Sequence, residues 1–180
     1  MSHPETLQVR FYPELRGQLE QRGYIFTTMP RSVSVSGLEQ TGMFSYKLQD
    51  ASGKENHKWS HLVKVNQRNM FQIAWKPQLS DGSDTDFLPM GVKVFYPSAA
   101  QLIYLLYAHY WGEYKAERID SVPFGDFGKT TTIYTDDNGI TENLFVGLET
   151  DWGDFLVCGT LTADHCKGVF PMVVPETLLF

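Results

Sequence analysis

The sequence predicts an α+β fold in which antiparallel β-meanders pack with one long central helix and a short N-terminal helix, all within a single globular domain over 1–180. Three observations carry that expectation. The stretch SAAQLIYLLYAHYWGEYKAER is apolar around most of a helical wheel, two groups of period-2 runs are joined by short polar turns, and no Pro-, Gly- or Ser-rich linker divides the chain. Strands and helices do not alternate regularly, which argues against a doubly wound parallel sheet.

Taken in order, Pro13 opens a short helix that runs to Arg22. Proline fits the first helical position, Leu15 and Leu19 fall on one face, and Gly23 is placed to end it. Gly17 within it costs about 1 kcal/mol relative to Ala. Residues 24–29, YIFTTM, read as a strand stopped by Pro30, and Val33 and Val35 alternate with serines over 32–36 as an edge strand does.

A three-stranded meander is expected next. Its first run carries Phe44, Tyr46 and Leu48, its second Trp59, His61, Val63 and Val65. After a turn at Asn66-Gln67-Arg68-Asn69 the third carries Phe71, Ile73 and Trp75. His61 then points inward beside Trp59, as a hydrogen-bonded core residue. Residues 78–90 form a polar loop. Its acids Asp81, Asp84 and Asp86 lack the spacing, the Gly and the final Glu of an EF-hand. Residues 91–96 return as a strand that feeds the long helix.

That helix is expected over 98–118. Ser98 can accept a bond from a free amide of the first turn, and Gln101 completes a capping box. At about 100° per residue, Ala99, Leu102, Ile103, Tyr104, Leu106, Tyr107, Tyr110, Trp111 and Tyr114 share an arc about 200° wide. Gln101, His109, Gly112 and Lys115 occupy the narrow face that remains. Lys115 and Arg118 complement the carbonyl end of the helix dipole. A helix this apolar must be covered on most sides, its Ile103 side by antiparallel sheet. A charge at Ile103 should be severely destabilising, whereas Gln101→Lys should change stability by less than about 0.5 kcal/mol. The polar second half and Gly112 exclude a membrane span of about 20 apolar residues.

Residues 122–130 read VPFGDFGKT, a near match to the phosphate-binding loop G-x-x-x-x-G-K-[ST] with Pro123 in place of its first Gly. That loop must open a helix, yet Thr130-Thr131-Thr132-Ile133-Tyr134 is β-branched and strand-like. Asp126-Phe127-Gly128 lacks every other kinase element, so both matches are chance. A second meander follows. It runs through 130–134, turns at Asp136-Asp137-Asn138-Gly139, returns with Leu144, Val146 and Leu148, and turns again at 150–153 into Phe155, Val157 and Leu161. Residues 169–174 add a last strand that Pro171 should hold at an edge.

Charge narrows the function. Residues 1–68 carry nine Lys/Arg and six Asp/Glu, whereas residues 69–180 carry six and fifteen. From Ile119 onward Lys129 and Lys167 oppose ten acids, which disfavours nucleic-acid binding by phosphate neutralisation. Arg10, Arg16, Arg22 and Arg31 read as scattered surface charges. The opening residues contain no apolar run of the secretory kind, and Cys158 and Cys166 make no disulfide framework. A reducing cytoplasm is the expected compartment.

Two classes of function remain. The favoured one is a non-enzymatic protein-binding module whose acidic C-terminal face meets a basic protein partner or a second copy of the chain. Asp136, Asp137, Asp151 and Asp154 would sit at turn tips, with Trp152 as an aromatic anchor. The alternative is a small soluble, hydrolase-like enzyme built on Asp164, His165 and Cys166, with Asp151 nearby. A thiol nucleophile needs a base within hydrogen-bond reach and a group that orients the base, and sequence neighbours often point apart. No family signature surrounds the cysteine. Cys158, His165 and Cys166 lack a fourth ligand and any C-x-x-C or H-x-x-H pair, so no zinc site and no other cofactor is expected.

Overall fold

A computed structural model describes residues 10–33, 47–48, 66–82, 87–111, 126–135, 137–149, 155–159 and 166–178. These form an α+β arrangement of two helices and two sheets in which antiparallel pairing dominates.

Helix α1 (Pro13–Gln21) begins with proline in its first turn and ends as its sequence requires. Gly23 takes φ 83°, its amide bonds to the Glu20 carbonyl at 3.0 Å, and the Tyr24 amide bonds to the Leu19 carbonyl at 3.1 Å. This is a Schellman closure, with Tyr24 packed in the same apolar cluster as Leu19. Leu15 and Leu19 seat α1 on one face of the first sheet, against Ala74 and Val173.

That sheet contains β1 (Ile25–Ser32), β3 (Asn66–Trp75), β4 (Val92–Val94) and β9 (Met172–Pro175), in the order β1-β3-β9-β4 and antiparallel throughout. Pro30 does not stop β1, contrary to expectation. The strand lies at the edge of its sheet, where a missing amide is tolerated, and the register slips between Pro30 and Ser32.

The described strands of the expected first meander do not lie side by side. The supposed turn at 66–69 is the start of β3, whose partners are β1 and β9. Lys47–Leu48 is β2, and it pairs in parallel in the other sheet. The runs at Phe44 and Tyr46 and from Trp59 to Val65, His61 included, lie outside the described residues. Period 2 fixes which side chains share a face but not which strand lies alongside. Strand β3 buries Phe71, Ile73 and Trp75 on one face and Ala74 on the other, which suits an inner position.

The last strand was expected at an edge and is also inner. Pro171 precedes β9 and so takes no amide from the ladder, Pro175 falls at the strand's last position, and Val173 and Val174 are fully buried on opposite faces.

Helix α2 (Ala99–Trp111) is the longer described helix, at 13 residues. The expected continuation over 112–118 lies outside the described residues. The capping box forms as read: the Gln101 amide bonds to Ser98 Oγ at 3.2 Å, and the Ser98 amide to Gln101 Oε1 at 2.9 Å. Of the expected narrow polar face, the two described positions, Gln101 and His109, are buried rather than wet. Gln101 Nε2 donates to the carbonyls of Pro30 and Arg31 at 3.0 and 3.1 Å. His109 packs edge-on to Trp75 with ring centres 5.0 Å apart.

The second sheet comprises β2 (Lys47–Leu48), β5 (Asp126–Thr135), β6 (Thr141–Glu149), β7 (Phe155–Gly159) and β8 (Cys166–Gly168), in the order β2-β7-β6-β5-β8. The expected C-terminal meander is present as β5-β6-β7, turning through Asn138 and Gly139, the latter at φ 80°. Strand β5 begins at Asp126, so the near-match to a phosphate loop lies in a strand from that residue on.

The main core joins both sheets to α2. Phe71, Ile73, Trp75 and Met172 face it from the first sheet, Leu102, Ile103 and Leu106 from the helix, and Leu144, Val146 and Leu148 from the second sheet. The Ala99 amide bonds to Thr132 Oγ1 and the Thr131 amide to the Pro97 carbonyl, each at 2.9 Å. With Gln101 bonded to β1, the start of α2 is held by both sheets.

Candidate functional site

Of the residues expected to carry function, Asp136, Asp151, Trp152, Asp154, Asp164 and His165 lie outside the described residues. Asp137 is described and exposed, in the turn at the tip of the β5–β6 hairpin. Cys166 opens β8, and its backbone partner in the parallel ladder is Asp126.

Sequence reasoning passed over Asp126 because it belonged to a chance motif. Burial raises its carboxyl above the ordinary value of 3.8. The folded chain therefore holds that proton more tightly than the unfolded chain does. Its contribution favours folding at low pH and is lost as pH rises through the interval between the ordinary and the raised value. Asp126→Asn, which keeps the shape and removes the charge, should thus raise the urea midpoint at pH 7. The gain over wild type should vanish below the ordinary carboxylate value. A gain of equal size at both pH extremes would assign the effect to something other than this carboxyl.

The hairpin presents an exposed strand surface. Lys129, Thr131, Ile133 and Thr135 are all exposed along β5, as are Ile140, Thr141 and Glu142 across the turn. Ile133 and Ile140 each leave 57% of their surface in water. At the tip Thr135 and Thr141 share a hydroxyl hydrogen bond of 2.9 Å. Nearer the base, the Lys167 ammonium covers the Phe145 ring at 5.4 Å. One face of the hairpin therefore runs from Lys129 and Lys167 at its base to Ile133 and Thr135, with Ile140 and Asp137 at the turn. The other face carries Glu142, opposite Tyr134. Glu142 forms no ion pair among the described residues.

Two polar contacts, one buried and one part-buried, set the geometry of this hairpin. Thr130 Oγ1 donates to the Leu144 carbonyl and Asn143 Nδ2 to the Thr130 carbonyl, both at 2.9 Å, across the register shift between Lys129 and Ile133. These bonds satisfy backbone groups that the irregular ladder would otherwise leave open.

A second surface feature was not anticipated. A groove of about 310 Å³ lies beside α1, its apolar lining made by Leu15, Met90, Gly91 and Pro175, of which Leu15 and Pro175 are buried. Exposed Arg10, Tyr12, Glu14, Gln18 and Glu176 also line it. Its apolar parts come from three distant chain segments, each short, so no periodic pattern could have shown it.

Among the described residues no group of three or more His, Cys, Asp or Glu is positioned to hold a metal ion, and no helix is long and apolar enough to cross a membrane. Comparison with family models, curated proteins and solved structures finds no match.

Proposed function

We propose that the chain is a non-enzymatic protein-binding module whose acidic C-terminal face, centred on the β5–β6 hairpin, meets a basic partner in the cytoplasm. The observation that supports this reading most is the pairing of exposed Ile133 and Ile140 with carboxylates at the hairpin tip. Apolar side chains left in water gain most when a partner covers them, and the carboxylates bias the approach of a cationic surface. Asp136, Asp151 and Asp154 extend the acidic character in the sequence, and Trp152, between two of these acids in the chain, supplies the aromatic anchor of this reading. The partner is a protein, or a second copy turning a basic region toward this face, and not a nucleic acid.

Carbodiimide cross-linking of the full chain in lysate of its source cells tests this proposal. The reagent joins carboxylates to lysines in contact. Partner lysines should be found joined to the peptides carrying Asp136, Asp137 and Glu142. Partners joined solely through carboxylates of α1 and β1 would contradict the assignment of this face.

A further inference from the structure

The groove beside α1 is a separate surface from the hairpin, and its chemistry is specific enough to name an occupant. Met90 leaves 95% of its surface in water, Phe87 on the same loop 87%, and Tyr12 at the start of α1 73%. These are the three most exposed large apolar side chains among the described residues. Two of them line the groove. Leaving them wet forgoes hydrophobic stabilisation that a bound segment would recover.

The groove walls are held in place without a ligand. The Glu176 amide bonds to the Gly91 carbonyl at 2.8 Å, and the Leu178 amide to the Pro175 carbonyl at 2.9 Å. Lys93 Nζ clamps the Leu178 carbonyl at 2.5 Å, and Leu178 itself is fully buried. Gly91 sits at φ 92°, a left-handed conformation that favours glycine, and a Cβ there would only touch Leu15 Cδ2 at an ordinary 3.5 Å, so the backbone turn rather than close approach sets the loop beside α1. At the other end the Phe11 amide bonds to Gln72 Oε1 at 3.1 Å. A preformed groove spares a ligand the cost of ordering it.

Charge then selects the ligand. The lining has two carboxylates, Glu14 and Glu176, against one guanidinium, Arg10. Glu14 and Glu176 are exposed and form no ion pair among the described residues. Glu14 also lies in the first turn of α1, where the helix dipole already favours its charge. A flexible methionine and an amphipathic tyrosine beside free carboxylates suit an apolar side chain followed closely by a cation.

We infer that this groove docks a peptide segment of another protein that carries a Lys or Arg within a few residues of a Leu, Ile, Met or Phe. The apolar side chain covers Met90 and Leu15, and the cation lies between Glu14 and Glu176. The inference stands independently of the hairpin reading.

A random peptide library displayed on phage and selected on the full chain tests it. The selection should enrich sequences that pair Lys or Arg with an aliphatic or aromatic residue. A synthetic copy of the leading sequence, followed by fluorescence anisotropy, should bind at least about tenfold more weakly to Met90→Ser and to the double variant Glu14→Gln, Glu176→Gln. Asp137→Lys should leave its affinity unchanged. All the substituted side chains are exposed, so Met90→Ser should unfold at the wild-type temperature and the double variant within about a few degrees of it, having lost the favourable charge at the start of α1, which thermal melting checks. No enrichment, enrichment of acidic sequences, or affinity indifferent to both groove variants overturns the inference. So does concentration-dependent dimerisation in sedimentation that Met90→Ser abolishes and the peptide fails to compete, since a second copy would then be the occupant. Loss of the groove with retained cross-linking at the hairpin leaves the proposed function standing.

Discussion

Gln101→Leu is expected to destabilise the folded chain by about 2–4 kcal/mol, although leucine is the more apolar residue and helix propensity hardly changes. The side chain makes three hydrogen bonds that leucine cannot make. It accepts from the Ser98 amide and donates to the carbonyls of Pro30 and Arg31. Pro30 is buried, so its carbonyl is left short of a partner where water cannot easily replace it. Gln101→Lys should be worse, because it also brings an ammonium into a site where the glutamine is 7% exposed. This reverses the small effect that helical periodicity suggests for Lys at this position. A charge at Ile103, 1% exposed, remains severely destabilising, so the two positions should behave alike. Urea unfolding of the variants measures this directly. A change of less than about 0.5 kcal/mol in Gln101→Lys would mean that the helix start is not bound to β1.

Gly128→Ala should cost about 3 kcal/mol, at the upper end for overpacking, and Gly128→Val should prevent folding. A Cβ at this strand position would overlap the Phe170 ring, whose Cε2 is 2.6 Å away, and would approach Leu102 Cδ2 to 3.0 Å. Neither neighbour can yield, because both are fully buried in the core that joins α2 to the sheets. The glycine lets β5 come close to the helix. Gly17 is the internal comparison. Nothing lies within 4 Å of a Cβ there, and the position is helical, so Gly17→Ala should stabilise by up to about 1 kcal/mol. Equal effects at the two glycines would show that packing at Gly128 is looser than described.

What the sequence made legible follows from the range of each signal. Local chemistry was readable: proline and glycine around α1, the Ser98–Gln101 box, and the Asn138–Gly139 turn each act within a few residues. The partners of strands were not. Leu48 and Phe71 each lie on period-2 runs, yet one strand joins β7 and the other β1 and β9, a choice made by distant burial. Gln101 misled for the same reason. Its polarity placed it on a wet face, whereas a bulged edge strand supplied carbonyls that a buried amide could satisfy. Of the acidic face, the exposed Asp137 was legible from the turn chemistry around it. Ile133 and Ile140 were not, because a strand pattern does not say which face stays uncovered. The groove beside α1 was invisible, since Tyr12, Met90 and Glu176 come together only in the fold.

The central proposal, that an acidic hairpin face recognises a basic partner, is tested most directly by association kinetics. The cross-linked partner is purified and its on-rate is followed against ionic strength for wild type and for the double variant Asp137→Lys, Glu142→Lys. Both side chains are exposed, so the fold should be unaffected. Steering by these carboxylates predicts that the variant associates about tenfold more slowly at low salt, and that the difference closes as the Debye length shrinks to about 8 Å. Equal on-rates for the two proteins at low salt would contradict it.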